Sequence, residues 1–231
     1  INERISSDLK FAEAISIPLT FLFLLFVFGG LIASAMPVVV AISAILGAFV
    51  ILYLISLATG VSIFALNLIT GLGMGLGIDY SLLMVNRFRE ELKSGKSVEE
   101  AVAQTVKTAG RTVFFSGITV MISLASLMFF PQMFLKSFGY GGVAVVAIAI
   151  VGALIPLPAI LALLGTKIDK FVVRKSAITP KEDGRWAHTA RFVMKRPVAV
   201  VFLSLLILGT IASPIKDIVF SQVDTRVLPA S

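Results

Sequence analysis

The chain has 231 residues, 58% of them hydrophobic and only 14% charged. A soluble domain carries about a quarter charged residues, so a water-soluble globular protein is excluded. There is no cysteine and a single histidine, His188, among basic residues, so neither a disulfide framework nor a thiolate or histidine metal site is expected, and no cofactor. The net charge of +7 does not point to nucleic acid, because the cations are confined to segments between apolar runs.

Residues 1–14 read as a helical approach to the membrane. Six apolar runs follow, at 15–35, 36–58, 61–85, 112–130, 138–164 and 198–214. Most reach the length of about 20 residues that a spanning helix needs. Only Ser34-Ala35-Met36-Pro37 separates the first two, which predicts a tight antiparallel hairpin there. Thr59-Gly60 is an uncharged turn between the second and third. The expected fold is an all-α membrane protein, a polytopic bundle of about six transmembrane helices with short amphipathic cytoplasmic helices. Its expected parts are the approach at 1–14, a five-span bundle at 15–165, a basic cytoplasmic loop at 166–196, the sixth span at 197–215, and the start of an extracytoplasmic domain at 216–231.

The third run carries the chemistry. Asp79 is its only carboxylate and is followed by Tyr80. The run ends against Arg87, and at about 1.5 Å per residue Asp79 lies about 12 Å inside that boundary. A charge at such depth is costly, and intramembrane ionisable groups mark ion or proton pathways by default. Gly71, Gly73, Gly75 and Gly77 alternate just before it. On a helix Gly71 and Gly75 lie within about 40° of each other, and Gly73 and Gly77 form a second stripe about 160–200° away. Each stripe is a small-xxx-small packing surface. The pattern predicts a central helix squeezed between neighbours on two sides, in which leucine at Gly75 would disrupt packing. No Lys-Ser/Thr follows the glycines, so they are not a phosphate loop.

The fourth run holds Ser116 and Ser123, seven residues apart and so on one face. With Asn67 they are candidates to hydrate Asp79, although each can also bond its own helix backbone. In the fifth run Pro156 and Pro158 should bend the helix, since each removes a hydrogen bond. Ser97-Val98-Glu99-Glu100 matches a capping box and predicts a short helix on the membrane surface before the fourth span. Thr179-Pro180 predicts another helix start. Trp186, Ala190, Val193 and Met194 then recur at helical spacing among basic residues. That is an interfacial amphipathic helix, serving either to bind anionic lipid or simply to anchor the topology.

Six lysines and arginines lie between the third and fourth runs and nine between the fifth and sixth, 15 of the 20 in the chain. The positive-inside rule makes both loops cytoplasmic. Both chain ends are then extracytoplasmic, in a multi-pass protein of the cell membrane.

The segments GLGMGLGIDYSLLMVNRFREEL, AVAQTVKTAGRTVFFSGITV and FFPQMFLKSFGYG resemble the MmpL family of actinobacterial envelope transporters, within the resistance–nodulation–division superfamily. The stretch Val223-Asp224-Thr225-Arg226-Val227-Leu228-Pro229 resembles the approach to that family's second extracytoplasmic domain. The resemblance implies that Asp79 and Tyr80 carry protons, together with an equivalent Asp-Tyr pair in the other half of the transporter. It places Ser116, with Ser123 on the same face, near the relay or an inhibitor pocket. It also implies that this chain is part of a two-halved transporter, lacking the first span, both extracytoplasmic domains and the partner pair. The expected function is proton-motive-force-driven export of a lipid or other hydrophobic envelope component, a mycolate glycolipid being the natural guess, with membrane lipids and protons as partners and no enzymatic activity. The alternative is a sterol- or lipid-sensing membrane module that binds without pumping.

Overall fold

Two glycines set the first corner of the structure, a computed structural model that describes residues 15, 18–170 and 185–213. Helix α1 (Pro18–Phe28) stops at Gly29, whose φ of 66° suits glycine far better than any residue with a side chain. Gly30 is extended and caps α2 (Leu31–Ser56). The hairpin expected at Ser34–Pro37 is therefore displaced to Gly29-Gly30, because the left-handed turn needs glycine. Pro37 sits inside α2, where it forfeits only the bond to Ala33, and spanning helices tolerate such a loss.

Helix α2 turns Ala33, Pro37, Ala41, Ala44 and Ala48 inward, a ridge of small side chains that lets its neighbour come close. That neighbour is α3 (Phe64–Lys93), which at 30 residues is about 45 Å long and overshoots a bilayer core at one end. Just before α3 begins, the backbone N–H of Ser62 donates to Ser137 Oγ at 2.9 Å, tying that end to the later helix that holds Ser137.

Helix α4 (Val98–Thr105) begins with the expected capping box. Glu100 N–H donates to Ser97 Oγ at 3.3 Å and Ser97 N–H to Glu100 Oε2 at 3.1 Å. It is not a separate surface helix as expected. A wide π turn (Val106–Gly110) joins it to α5 (Arg111–Ala125), and a 3-10 turn (Ser126–Phe129) completes one continuous 32-residue helix. The π turn has a packing reason. Ala101, Thr105, Ala109, Val113 and Gly117 are all buried at a spacing of four. In a regular helix each such step drifts by about 40°, and the extra residue of a π turn cancels much of that drift.

Helix α6 (Met133–Leu154) is the centre of the bundle, in contact with α2, α3 and α5. Its glycines make this possible. A Cβ on Gly139 would lie 3.2 Å from the Leu124 carbonyl, one on Gly141 3.0 Å from Ile69, and one on Gly152 3.2 Å from Val40. The central place expected for the third span thus belongs to α6. The break expected from the prolines falls at Ile155, and α7 (Pro156–Leu164) begins with Pro156, where no helical N–H is lost. A 3-10 turn (Gly165–Asp169) ends this part.

Residues 185–213 belong to a second compact unit. It contains α8 (Arg185–Lys195) and α9 (Pro197–Ala212), bent by 98° at the junction. Among the described residues four helices are long and apolar enough to cross a membrane, or five if this bent pair is one span, against the expected six. The expected first span is represented only by the shorter α1, because residues 31–35 belong to α2. The approach at 1–14, the Thr179-Pro180 helix start, the side chain of Trp186 and the stretch 216–231 lie outside what the structure describes.

Candidate functional site

The two glycine stripes of α3 have different surroundings. A Cβ on Gly77 would sit 2.6 Å from Ala41 Cα, and one on Gly73 would sit 2.6 Å from Ile45 and 2.9 Å from Val145. These two residues are where α3 meets α2 and α6. Among the described residues nothing lies within 4 Å of the corresponding positions on Gly71 and Gly75. Among the described residues the expected two-sided squeeze is therefore one-sided. The second stripe, Gly71 and Gly75 continuing to Asp79, lies open, and Asp79 is exposed on it. Asn67 precedes it, exposed, at the same spacing of four.

Tyr80 points the other way. It is only 5% exposed, yet its hydroxyl has no hydrogen-bond partner. A Cβ on Gly117 would lie 3.4 Å from that hydroxyl. Ser116, next in sequence, is near enough to interact with it, as is the Asp79 carboxylate, although no hydrogen bond of normal geometry forms. Helices α3 and α5 thus approach each other at the level of Tyr80 and Ser116, with Ile150 of α6 packed beneath Gly117. Ser123 is not part of this meeting. It lies about 10 Å further along α5, and its hydroxyl donates to the Thr119 carbonyl at 3.0 Å. Gly117 was not singled out in the sequence. A side chain there would collide with Ile150, so Gly117 is the residue that lets Ile150 pack against α5 beside the Tyr80 hydroxyl.

The nearer end of α3 is held by charge. Arg89 is 5% exposed and ties three elements together. It pairs with Asp169 Oδ1 at 2.7 Å, donates to the Phe28 carbonyl at 3.1 Å, and lies 6.0 Å from the centre of the Phe28 ring. Arg87 pairs with Glu90 at 3.1 Å and with Glu91, which Lys96 also holds at 2.5 Å. The Arg89–Asp169 pair brings the starts of both cationic loops to the same end of the bundle. Among the described residues no group of acidic, histidine or cysteine side chains could hold a metal ion.

The MMPL family profile matches residues 1–200, nearly all of the chain and every element of this site. The chain belongs to the MMPL family. It is 44% identical, over its whole length, to a membrane protein of Streptomyces coelicolor, of which it covers 32%. It is 35% identical over 97% of its length to the trehalose monomycolate exporter MmpL3 of Mycolicibacterium smegmatis, of which it covers 25%. It is 30% identical over 93% of its length to the mycolic acid-containing lipids exporter MmpL11 of the same organism, of which it covers 23%. This MMPL-family chain therefore spans a third or less of the curated relatives it matches.

Proposed function

We propose that this chain is the transmembrane part of a proton-motive-force-driven exporter of lipids or related hydrophobic envelope components, with Asp79 and Tyr80 in its proton relay. The observation that carries the reading is the placing of Asp79. A carboxylate about 12 Å into a spanning helix is expensive when bare, yet here it sits on an open stripe of glycines. Such a stripe admits another helix closely. The cover we infer is the second half of the transporter, bringing its own Asp-Tyr pair. A carboxylate's charged form is disfavoured in apolar surroundings, so a conformational change that alters its cover drives proton uptake or release. The buried Tyr80 hydroxyl is a group that a relay can use, as donor or as acceptor. The substrate class rests on relatives named as exporters of trehalose monomycolate and of mycolic acid-containing lipids.

Proteoliposomes carrying the whole transporter test the coupling. Lipid export is expected to accelerate under an imposed pH gradient and to stop when a protonophore collapses it. Tyr80→Phe should slow the gradient-driven rate by about tenfold, the order of one hydrogen bond to a charged group. Export indifferent to the gradient would sink the proposal.

Both cationic loops are assigned to the cytoplasm and both chain ends to the outside of the cell membrane. With no native cysteine, single cysteines report this cleanly. Ser94→Cys, in the first cationic loop, should be shielded from an impermeant thiol reagent in intact cells and labelled after permeabilisation, whereas Ser231→Cys should be labelled at once. The reverse pattern would invert the orientation.

A further inference from the structure

The corner between α8 and α9 gives α8 a direction. Arg196 leaves the helical region (φ −137°, ψ 57°), Pro197 opens α9, and the two axes diverge by 98°. Helix α9 is apolar throughout and has no buried residue among the described ones, as suits a helix immersed in a bilayer. With α9 taken as the part that enters the membrane, α8, at 98° to it, lies along the membrane surface.

The composition of α8 fits that position. At about 100° per residue, Ala187, Ala190, Val193 and Met194 share one side, and Val193 and Met194 are 39% and 77% exposed. Lys195 and Arg196 lie on the other side, on either flank of Phe192, and Arg191 lies at the border between the two sides, about 40° from Ala187. From Arg185 to Arg196 there is no acidic residue. An acidic soluble protein could cover the basic side, but it would leave the apolar side bare and the corner without purpose. An anionic bilayer surface meets all three features at once.

We propose that α8 is a docking surface for anionic phospholipid headgroups. Its apolar side is sunk in the boundary of the acyl chains, and Arg191, Lys195 and Arg196 engage the phosphates. Arg191 also donates its Nε to the Ala187 carbonyl at 3.3 Å, which fixes its stem against the helix. The role is separate from the Asp79 site and does not depend on it.

The sole tryptophan of the chain, Trp186, belongs to α8, so its fluorescence reports on this helix alone. The full chain would be placed in phosphatidylcholine nanodiscs containing increasing fractions of brominated phosphatidylglycerol or, separately, brominated phosphatidylcholine. Quenching by the anionic lipid should be half-maximal at about fivefold lower fraction, the attraction of about one basic side chain to an anionic surface. The preference should fade in about 0.5 M salt. The triple variant Arg191→Gln, Lys195→Gln, Arg196→Gln should make the two lipids equal while both still quench, since the apolar side remains. Equal quenching by both lipids in the unsubstituted chain, no quenching by either, or a preference that survives in the triple variant would each overturn the proposal.

Discussion

Asp79→Asn in the whole transporter is expected to abolish gradient-driven export while leaving expression, membrane insertion and lipid binding close to normal. Asparagine keeps the size and most of the hydrogen bonding of the side chain but cannot take up and release a proton. Asp79 is exposed on the open stripe and makes no packing contact on which the bundle depends. Folding of this part should therefore be indifferent to the change, and a lost rate can be read as lost coupling. The lipid-sensor alternative predicts otherwise, with ligand binding altered or unaltered and no gradient-dependent activity to lose. The measurement is export from proteoliposomes with and without a pH gradient, beside lipid binding by the same preparation. Gradient-dependent export by the Asn variant would remove Asp79 from the relay.

Gly77→Leu should cause the largest loss of stability in the chain. The first side-chain atom alone would sit 2.6 Å from Ala41 Cα and 3.1 Å from Ala41 N, and a backbone cannot swing aside as a side-chain tip can. Helices α2 and α3 would have to separate along the ridge of small residues that joins them. Overpacking of this kind costs about 1–3 kcal/mol in adaptable cores and more where backbone is struck. Gly75→Leu is the matched control, because nothing among the described residues lies within 4 Å of its Cβ position. In detergent Gly75→Leu should melt near the unsubstituted chain and Gly77→Leu well below it. Equal melting temperatures would mean that α2 and α3 are not packed as described. In the whole transporter the Gly75 variant should nonetheless impair export, because leucine there blocks whatever covers the open stripe.

Much of the architecture was legible because hydropathy and the cost of unpaired backbone in lipid leave helices as the only plausible element for runs this apolar. The capping box at Ser97 and the break near Pro156 were readable for local reasons, since both depend on residues within a turn of each other. The errors were of another kind. The first corner went to Gly29-Gly30 and not to Pro37, and nothing in the local sequence ranks a positive φ above a proline. The π turn at Val106–Gly110 exists to keep one face of a long helix turned inward, a demand set by α3 and α6 and not by the residues that form it. At the site, alternation of the four glycines announced two stripes but could not say that, among the described residues, one is packed and the other open. Gly73 and Gly77 differ from Gly71 and Gly75 only in what stands opposite them.

The clasp formed by Arg89 bears on how the chain is made. Phe28 has left the ribosome by the time Arg89 does, but the counter-ion Asp169 follows about 80 residues later, which at about 5–20 residues per second is a delay of several seconds. Through that interval the guanidinium can be satisfied only by water, by lipid phosphate or by the carbonyl at the end of α1. The corner at Gly29-Gly30 is thus closed by a residue that emerges about 80 positions after Arg89, and synthesis halted before Asp169 would leave α1 without this fastening.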